Sequence, residues 1–318
     1  MEIVAIDLGY GSVKVAMADG RRMAFPARFA PAREADSGWG LGHDSHPLSV
    51  NGNLVVVGAA AAGLPGVREP IGDARLGDPD SMPLLAAALW DAHVEGDVVL
   101  ASGLPLGAFS TEAEPARRAL HARTLRLARG RVQRQVRIGR VLLRPQGVGA
   151  ALHLYSTGRL QRGPGWAAVV DIGARTTDAL VVDRETMRPV RELSLSLDRG
   201  LAQAIAEMAG GGGIYPLPID LAERALRDPV QWHGRTVGGP DEAAPILQAL
   251  AGQIGDVLAH RWGGEIGRMV QTVLVGGGGA LLAPHMGTLF PVPPTAVPVR
   301  DAIYANASGY LLSAQGGR

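Results

Sequence analysis

Hydrophobic positions in the first thirty residues fall into short alternating runs separated by glycine turns. The spacing predicts strands over 3–7, 13–18 and 23–27. Residues 31–75 are rich in Pro, Gly and Asp around one strand at 53–57, the pattern of a small insertion. Ser81-Met82-Pro83 opens a helix running to about residue 93, with Pro at an early helical position. A buried strand follows over 97–101. Thr111 and Glu114 read as a capping box, which puts Pro115 just inside a helix to about 128. A strand over 135–143 ends in Pro145-Gln146-Gly147, and a helix covers 150–155. The break at Gly163-Pro164-Gly165 separates two expected lobes, 1–160 and 161–318.

The second lobe restarts the pattern of the first. An apolar strand at 166–170 enters the polar turn Asp171-Ile172-Gly173-Ala174-Arg175-Thr176-Thr177-Asp178, followed by strands at 179–182 and 190–197. Helices at 201–209, 219–227 and 241–262 make a helical insertion over about 200–265. The apolar stripe Ile246, Leu247, Leu250, Ile254, Val257 and Leu258 is the core face of the last of them. A strand at 272–275 runs into Gly276-Gly277-Gly278-Gly279 and a helix start. A final helix over about 302–314 is expected to pack back near the first lobe. The glycine run 210–213 follows a helix and reads as a loop.

Composition narrows the class. At 318 residues the chain exceeds one typical core, so two lobes are expected. Apolar content of 47% with 19% charged residues describes a globular chain, and a net charge of +1 announces no nucleic-acid or membrane partner. With no cysteine, disulfides, thiolate metal sites and cysteine nucleophiles are excluded. No signal peptide and no apolar run of ~18 residues is visible, so a cytoplasmic location is expected.

Thirty arginines accompany one lysine, Lys14, which closes the turn Asp7-Leu8-Gly9-Tyr10-Gly11-Ser12-Val13-Lys14. Base composition of a GC-rich genome would also deplete lysine, so its place matters more than its rarity. Two strand–Asp–x–Gly–turn–strand segments lie 164 residues apart, at Asp7 and Asp171. Glycine lets the main chain approach phosphate oxygens closely, the hydroxyls of Ser12, Thr176 and Thr177 add donors, and Lys14 adds a compact positive charge. Asp7 and Asp171 repel phosphate, and make sense beside it with Mg2+, held directly or through its waters.

These segments resemble the actin-like ATPase superfamily, whose fold is α/β, a duplicated ribonuclease H-like pair of lobes with a nucleotide cleft between them. Asp7–Lys14 is similar to its first phosphate loop, Asp171–Asp178 to its second and Val275–Gly279 to its adenosine loop; residues 145–150 and 304–309 are similar to its two connecting helix starts. Asp-Leu-Gly-Tyr-Gly, Ser-Gly-Leu-Pro at 102–105 and Pro-Gln-Gly-Val-Gly-Ala at 145–150 resemble the ParM/StbA-type plasmid-segregation actins. The resemblance implies an ATPase, binding ATP or ADP with Mg2+, whose slow hydrolysis is coupled to filament assembly for plasmid or DNA segregation. It implies catalytic roles for Gln146, Asp171 and Asp7, Gln146 orienting the attacking water, and Mg2+ held by Asp7 and Asp171 through water. Nucleotide contacts fall to Gly9, Tyr10, Gly11, Ser12, Lys14, Gly173, Thr176, Thr177, Gly276, Gly277 and Gly278. Some family members carry glutamate where Gln146 stands, which leaves open whether this residue does more than position water. The implied partners are further copies of the chain and a DNA-binding adaptor.

Other readings stay open at this point. A small-molecule kinase of the same fold needs an aspartate base, and Asp73, Asp78 and Asp80 qualify by type only. A non-polymerising, chaperone-like ATP-binding scaffold is a third. Ten arginines between 117 and 144 meet no acid from 115 to 144, leaving −9 on the rest of the chain. A solvated surface is the plainest reading of that run and a filament contact the next. Direct DNA binding ranks last, because no recognition-helix or aromatic motif accompanies the run. His43-Asp44-Ser45-His46 lacks helical ligand spacing and is a weak zinc candidate.

Overall fold

A computed structural model describes residues 1–32, 46–69, 76–211, 213 and 215–316. The chain divides into two compact units, Met1–His153 with Tyr304–Arg318, and Leu154–Ile303. The sequence break at 163–165 thus lies inside the second unit, a few residues after the change-over.

In the first unit the strands are β1 (Glu2–Leu8), β2 (Ser12–Met17), β3 (Arg22–Pro26), β4 (Phe29–Pro31), β5 (Leu48–Val50), β6 (Asn53–Val57), β7 (Gly96–Leu104), β8 (Thr124–Arg129) and β9 (Val132–Pro145). They form one sheet in the order β3-β2-β1-β7-β9-β8-β5-β6-β4. Side chains alternate across it. Val4 and Ile6 of β1 join a core with α1 (Met82–Asp91) and α2 (Phe109–Leu120). Ile3 and Ala5 turn to the opposite face, where Ala307, Tyr310 and Ala314 of the C-terminal helix cover them. A third helix, α3 (Val148–Ser156), follows β9.

Two expectations fail here for local reasons. The helix predicted to 128 stops at Leu120, and Ala122 takes a left-handed φ of 61°. Leu125 and Leu127 then alternate into the core with period two, so the segment pairs with β9 as a strand. Most of the arginine run therefore lies on a β-hairpin. No capping box forms, because α2 begins two residues before Thr111, whose hydroxyl instead donates to the Ala108 carbonyl at 3.0 Å. Strand β9 also carries an extra residue, Gly139, where its register against β7 shifts. That bulge returns Val141 and Leu143 to the core side already occupied by Val136 and Ile138.

The second unit contains β10 (Trp166–Ile172), β11 (Thr177–Asp183), β12 (Arg188–Pro189), β13 (Leu195–Leu197), β14 (Val230–Trp232), β15 (Arg235–Val237), β16 (Met269–Val275) and β17 (Thr295–Ala296). Its helices are α4 (Leu201–Gly210), α5 (Ile219–Ala225), α6 (Pro240–Trp262), α7 (Gly276–Leu282) and α8 (Val299–Ala302); the C-terminal helix of the first unit is α9 (Ala305–Gly316). Its main sheet runs β12-β11-β10-β16-β17, with β13 beside β11. This repeats β3-β2-β1-β7-β9 strand for strand: two antiparallel steps, then two parallel ones. The strand predicted at 190–197 is interrupted. Ser194 Oγ accepts from the Val181 N–H at 3.0 Å and donates to the Val190 carbonyl at 2.8 Å, and a side chain takes the place of a ladder bond.

Helix α6 places Leu250, Ile254, Leu258 and Trp262 in the core of this unit, and the Trp262 indole N–H donates to the Leu193 carbonyl at 3.0 Å. Among the described residues no helix is long and apolar enough to cross a membrane.

Candidate functional site

In the first unit the β1–β2 hairpin sets Asp7 opposite Lys14 in antiparallel register. Paired residues share a face, so the carboxylate and the ammonium meet at 3.6 Å, and both are largely buried. The ammonium folds over the turn: a Cβ on Gly9 would lie 2.8 Å from Lys14 Nζ and 3.0 Å from the Ser12 carbonyl oxygen. Glycine at this position therefore keeps the lysine close to the backbone. Gly11 is exposed at the tip, and Tyr10 and Ser12 flank it half-buried.

Parallel pairing of β1, β7 and β9 ends three strands on the same side of the sheet. Ser102 ties two of them, its hydroxyl donating to the Ile6 carbonyl at 2.6 Å. The end of β9 then delivers Gln146, whose Nε2 donates to Asp7 Oδ1 at 3.3 Å. An ionised carboxylate only accepts, so the amide nitrogen is the atom facing it and Oε1 is left as an acceptor. Asp7 is shared between Lys14 and Gln146. A small cavity beside this group is lined by Gly9, Tyr10, Ser81, Leu84, Leu104 and Gln146, among others.

The second unit builds a related corner. Asp171, the next-to-last residue of β10, pairs with Val275 at the end of β16, and Gly276 follows with a φ of 79°. A Cβ on Gly276 would stand 2.3 Å from Asp171 Oδ1 and 2.5 Å from the Ile172 carbonyl oxygen. The first glycine of the run is therefore required by contact with the aspartate turn. Gly278 packs on Ile172 and Leu201, while Gly277 has open space beyond its Cα.

The turn itself is shaped by α4. The Gly173 and Ala174 carbonyls accept from the Leu201 and Ala202 N–H groups at 3.1 and 2.7 Å, satisfying two first-turn donors of that helix. A trans peptide holds its N–H opposite its C=O, so the Ala174 and Arg175 N–H groups aim away from α4. Gly200 makes this approach possible, since a Cβ there would lie 2.6 Å from the Ala174 oxygen.

Thr176 and Thr177 part company. Thr176 is half-buried in the turn. Thr177 is fully buried and its hydroxyl donates to the Arg199 carbonyl at 2.8 Å, so it fastens the turn. Sequence reasoning missed Asp178, which sits directly opposite Asp171 in the hairpin, is buried, and accepts from the Ser196 hydroxyl. It also missed Gly200. The register of the hairpin was the signal for the first; nothing local marks the second.

Of the kinase candidates, Asp80 is paired with Arg68 at 3.3 Å on the exposed surface, and Asp73 lies outside the described residues. Residues 43–45 of the His43–His46 segment also lie outside them. Among the described residues no three His, Asp or Glu side chains converge as a metal site.

The repeated sheet and its two aspartate turns define a protein built like actin. Residues 5–149 match the model of the actin-like protein N-terminal domain, and residues 169–288 match that of the archaeal actin homologue MreB-like C-terminal region. Archaeal actin homologues from Thermoplasma volcanium and Thermoplasma acidophilum are each 39% identical to this chain over 99% of it and 99% of their own length. The chain belongs to the actin-like protein family, among the archaeal actin homologues. A solved archaeal actin homologue in complex with ADP is 36% identical with a TM-score of 0.89, covering 99% of this chain and 100% of that one. A ParM from a 15-stranded filament of Clostridium botulinum shares the fold, with a TM-score of 0.83 at 21% identity over 99% of both chains.

Proposed function

We propose that this chain is an actin-like ATPase that binds Mg-ATP through the two aspartate turns, hydrolyses it slowly and assembles with copies of itself into filaments. The observation that carries this reading is the Asp7 carboxylate shared by Lys14 and Gln146 at 3.6 and 3.3 Å. A lysine held against a backbone turn suits phosphate oxygens. A glutamine whose nitrogen is engaged has its carbonyl oxygen free to accept from an attacking water. Such an amide positions water without deprotonating it strongly, consistent with slow turnover. The archaeal relative solved with ADP supports the choice of nucleotide.

The residues fit Mg2+ as well. Asp7 and Asp171 are oxygen donors at the ends of equivalent strands, and Gly9 and Gly276 mark places where a Cβ would intrude on the lysine and the aspartate. Bound there, the cation would neutralise charge on the phosphates. Lys14, Gly9, Gly11 and Ser12 of the first turn would contact phosphate, as would the Ala174 and Arg175 N–H groups, the Thr176 hydroxyl and the open side of Gly277 at the second. Filament assembly for segregation of DNA in the cytoplasm, through an adaptor, is the cellular role that fits the ParM likeness.

Light scattering and pelleting with and without Mg-ATP test this reading. ATP-dependent pelleting with phosphate release is expected. A chain that hydrolyses ATP yet stays monomeric at high concentration would exclude the filament role, and one that binds no ATP or ADP would exclude the whole reading.

A further inference from the structure

We propose that Asn306 is the positioning residue for Gln146, acting through the backbone of residues 147–150. This rests on the reading of Gln146 as the group that orients water. Gln146 stands at a corner between β9, which ends at Pro145, and α3, which begins at Val148. Its own N–H donates to the Leu104 carbonyl at 2.8 Å, the last tie to β7. Gly147 then turns the chain with a φ of 81°, and its carbonyl accepts the first helical bond of α3 from Ala151 at 2.8 Å. The N–H groups at such a helix start need acceptors from outside the helix.

One atom supplies two of them. Asn306 Oδ1 accepts from the Gly147 N–H and from the Ala150 N–H, each at 3.1 Å. This is the work of an N-cap side chain, done by a residue 159 positions later in the chain. Asn306 is 4% exposed, so water does not readily replace its oxygen.

The helix that brings Asn306 packs backbone to backbone against this corner. A Cβ on Gly309 would lie 1.7 Å from the Gly149 carbonyl oxygen, and one on Gly149 would lie 2.5 Å from the Tyr310 ring. On the other side of Gln146, Arg144 Nε donates to Ser313 Oγ of the same helix at 2.7 Å. Gln146 is thus framed on both sides by fastenings to α9. Its bond to Asp7, at 3.3 Å, is long for a hydrogen bond. A shift of a few tenths of an ångström at the corner would break it, and the water-orienting oxygen would move with the amide. Lys14 and the glycines of the first turn are on another segment and would not move.

The test uses the full chain with four variants: Asn306→Ala, Asn306→Asp, Gln146→Ala and the Asn306→Ala/Gln146→Ala double. Steady-state hydrolysis at saturating Mg-ATP and ADP affinity by calorimetry are measured for each. Asn306→Ala is expected to lower kcat about tenfold while ADP affinity stays within about twofold. Asn306→Asp keeps an acceptor for both N–H groups and is expected to restore most of the rate. The double variant should be no slower than Gln146→Ala alone, as for residues acting as one unit. Should Asn306→Ala not fold, Asn306→Ser, whose hydroxyl falls one bond short, carries the same expectation at about threefold. A normal rate in Asn306→Ala with an impaired Gln146→Ala overturns this proposal and leaves the proposed function standing. Additive losses in the double variant show that Asn306 does not act through Gln146, and also overturn it. A normal rate in Gln146→Ala refutes the role given to that glutamine, and the proposal falls with it.

Discussion

Gly276→Ala probes the corner where the glycine run meets the second aspartate turn. Two costs can be worked from the structure. The residue has φ 79°, a region that costs an L-amino acid with a Cβ about 1–2 kcal/mol. The new Cβ would also lie 2.3 Å from Asp171 Oδ1, 2.5 Å from the Ile172 carbonyl oxygen and 2.9 Å from its carbon. The carboxylate can rotate away but the backbone of Ile172 cannot, so overpacking adds about 1–3 kcal/mol. The expected loss is about 2–5 kcal/mol, and Asp171 is turned out of its present place. Gly277→Ala is the control: nothing lies within 4 Å of its Cβ position and the residue is helical. There alanine is expected to raise stability by up to about 1 kcal/mol through helix propensity. If Gly277 borders the nucleotide, ADP affinity should nonetheless fall in that variant. Urea unfolding and ADP titration of both variants make the assay. A Gly276→Ala protein within about 0.5 kcal/mol of the parent and with normal ADP affinity would refute the steric argument.

Gly9→Ala should act differently, because the nearest atom is the end of a flexible lysine; stability is expected to change by less than about 1 kcal/mol while ADP affinity drops about tenfold as the ammonium is displaced, and unchanged affinity in calorimetry would count against Lys14 as a phosphate contact. Arg134→Ala removes a guanidinium 4.2 Å from the Trp90 ring centroid and its 2.7 Å bond to the Trp90 carbonyl at the end of α1, and should cost about 1–3 kcal/mol in urea unfolding. Asp183 has its carboxyl held below the usual range, first by the Thr186 N–H and then by the Thr186 hydroxyl. A lowered folded pKa gives stability that is present above the unfolded value and lost as pH falls through the folded one. Asp183→Ala should therefore be less stable than the parent at neutral pH and approach it in acid; a gap that does not narrow as the parent's carboxyl is protonated would show that the ionised carboxylate is not its source.

Much of the frame is legible in the sequence. The strands around Asp7 and Asp171 are short-range features: their two-residue alternation and glycine turns need no distant partner to be read. The helix over 240–262 was legible for the same reason, since its apolar stripe recurs with helical period. The stretch after Leu120 reads as helix because arginine and leucine are good helix formers, and the deciding partner, β9, lies across a hairpin. The bond made by the Thr177 hydroxyl was not legible, because a hydroxyl beside a glycine turn suits a ligand or a backbone carbonyl equally, and Arg199, whose carbonyl accepts it, is 22 residues away.

By itself the sequence determined the repeated strand–aspartate–turn–strand units, because turn chemistry and alternation are local properties of the chain. Only the tertiary structure decided which polar groups meet. Gln146 reaches Asp7 because β1, β7 and β9 run parallel and end together, and Asn306 holds the corner beside it because α9 returns to the first unit after 150 intervening residues. Such contacts depend on the packing of segments remote in sequence, and no local period records them.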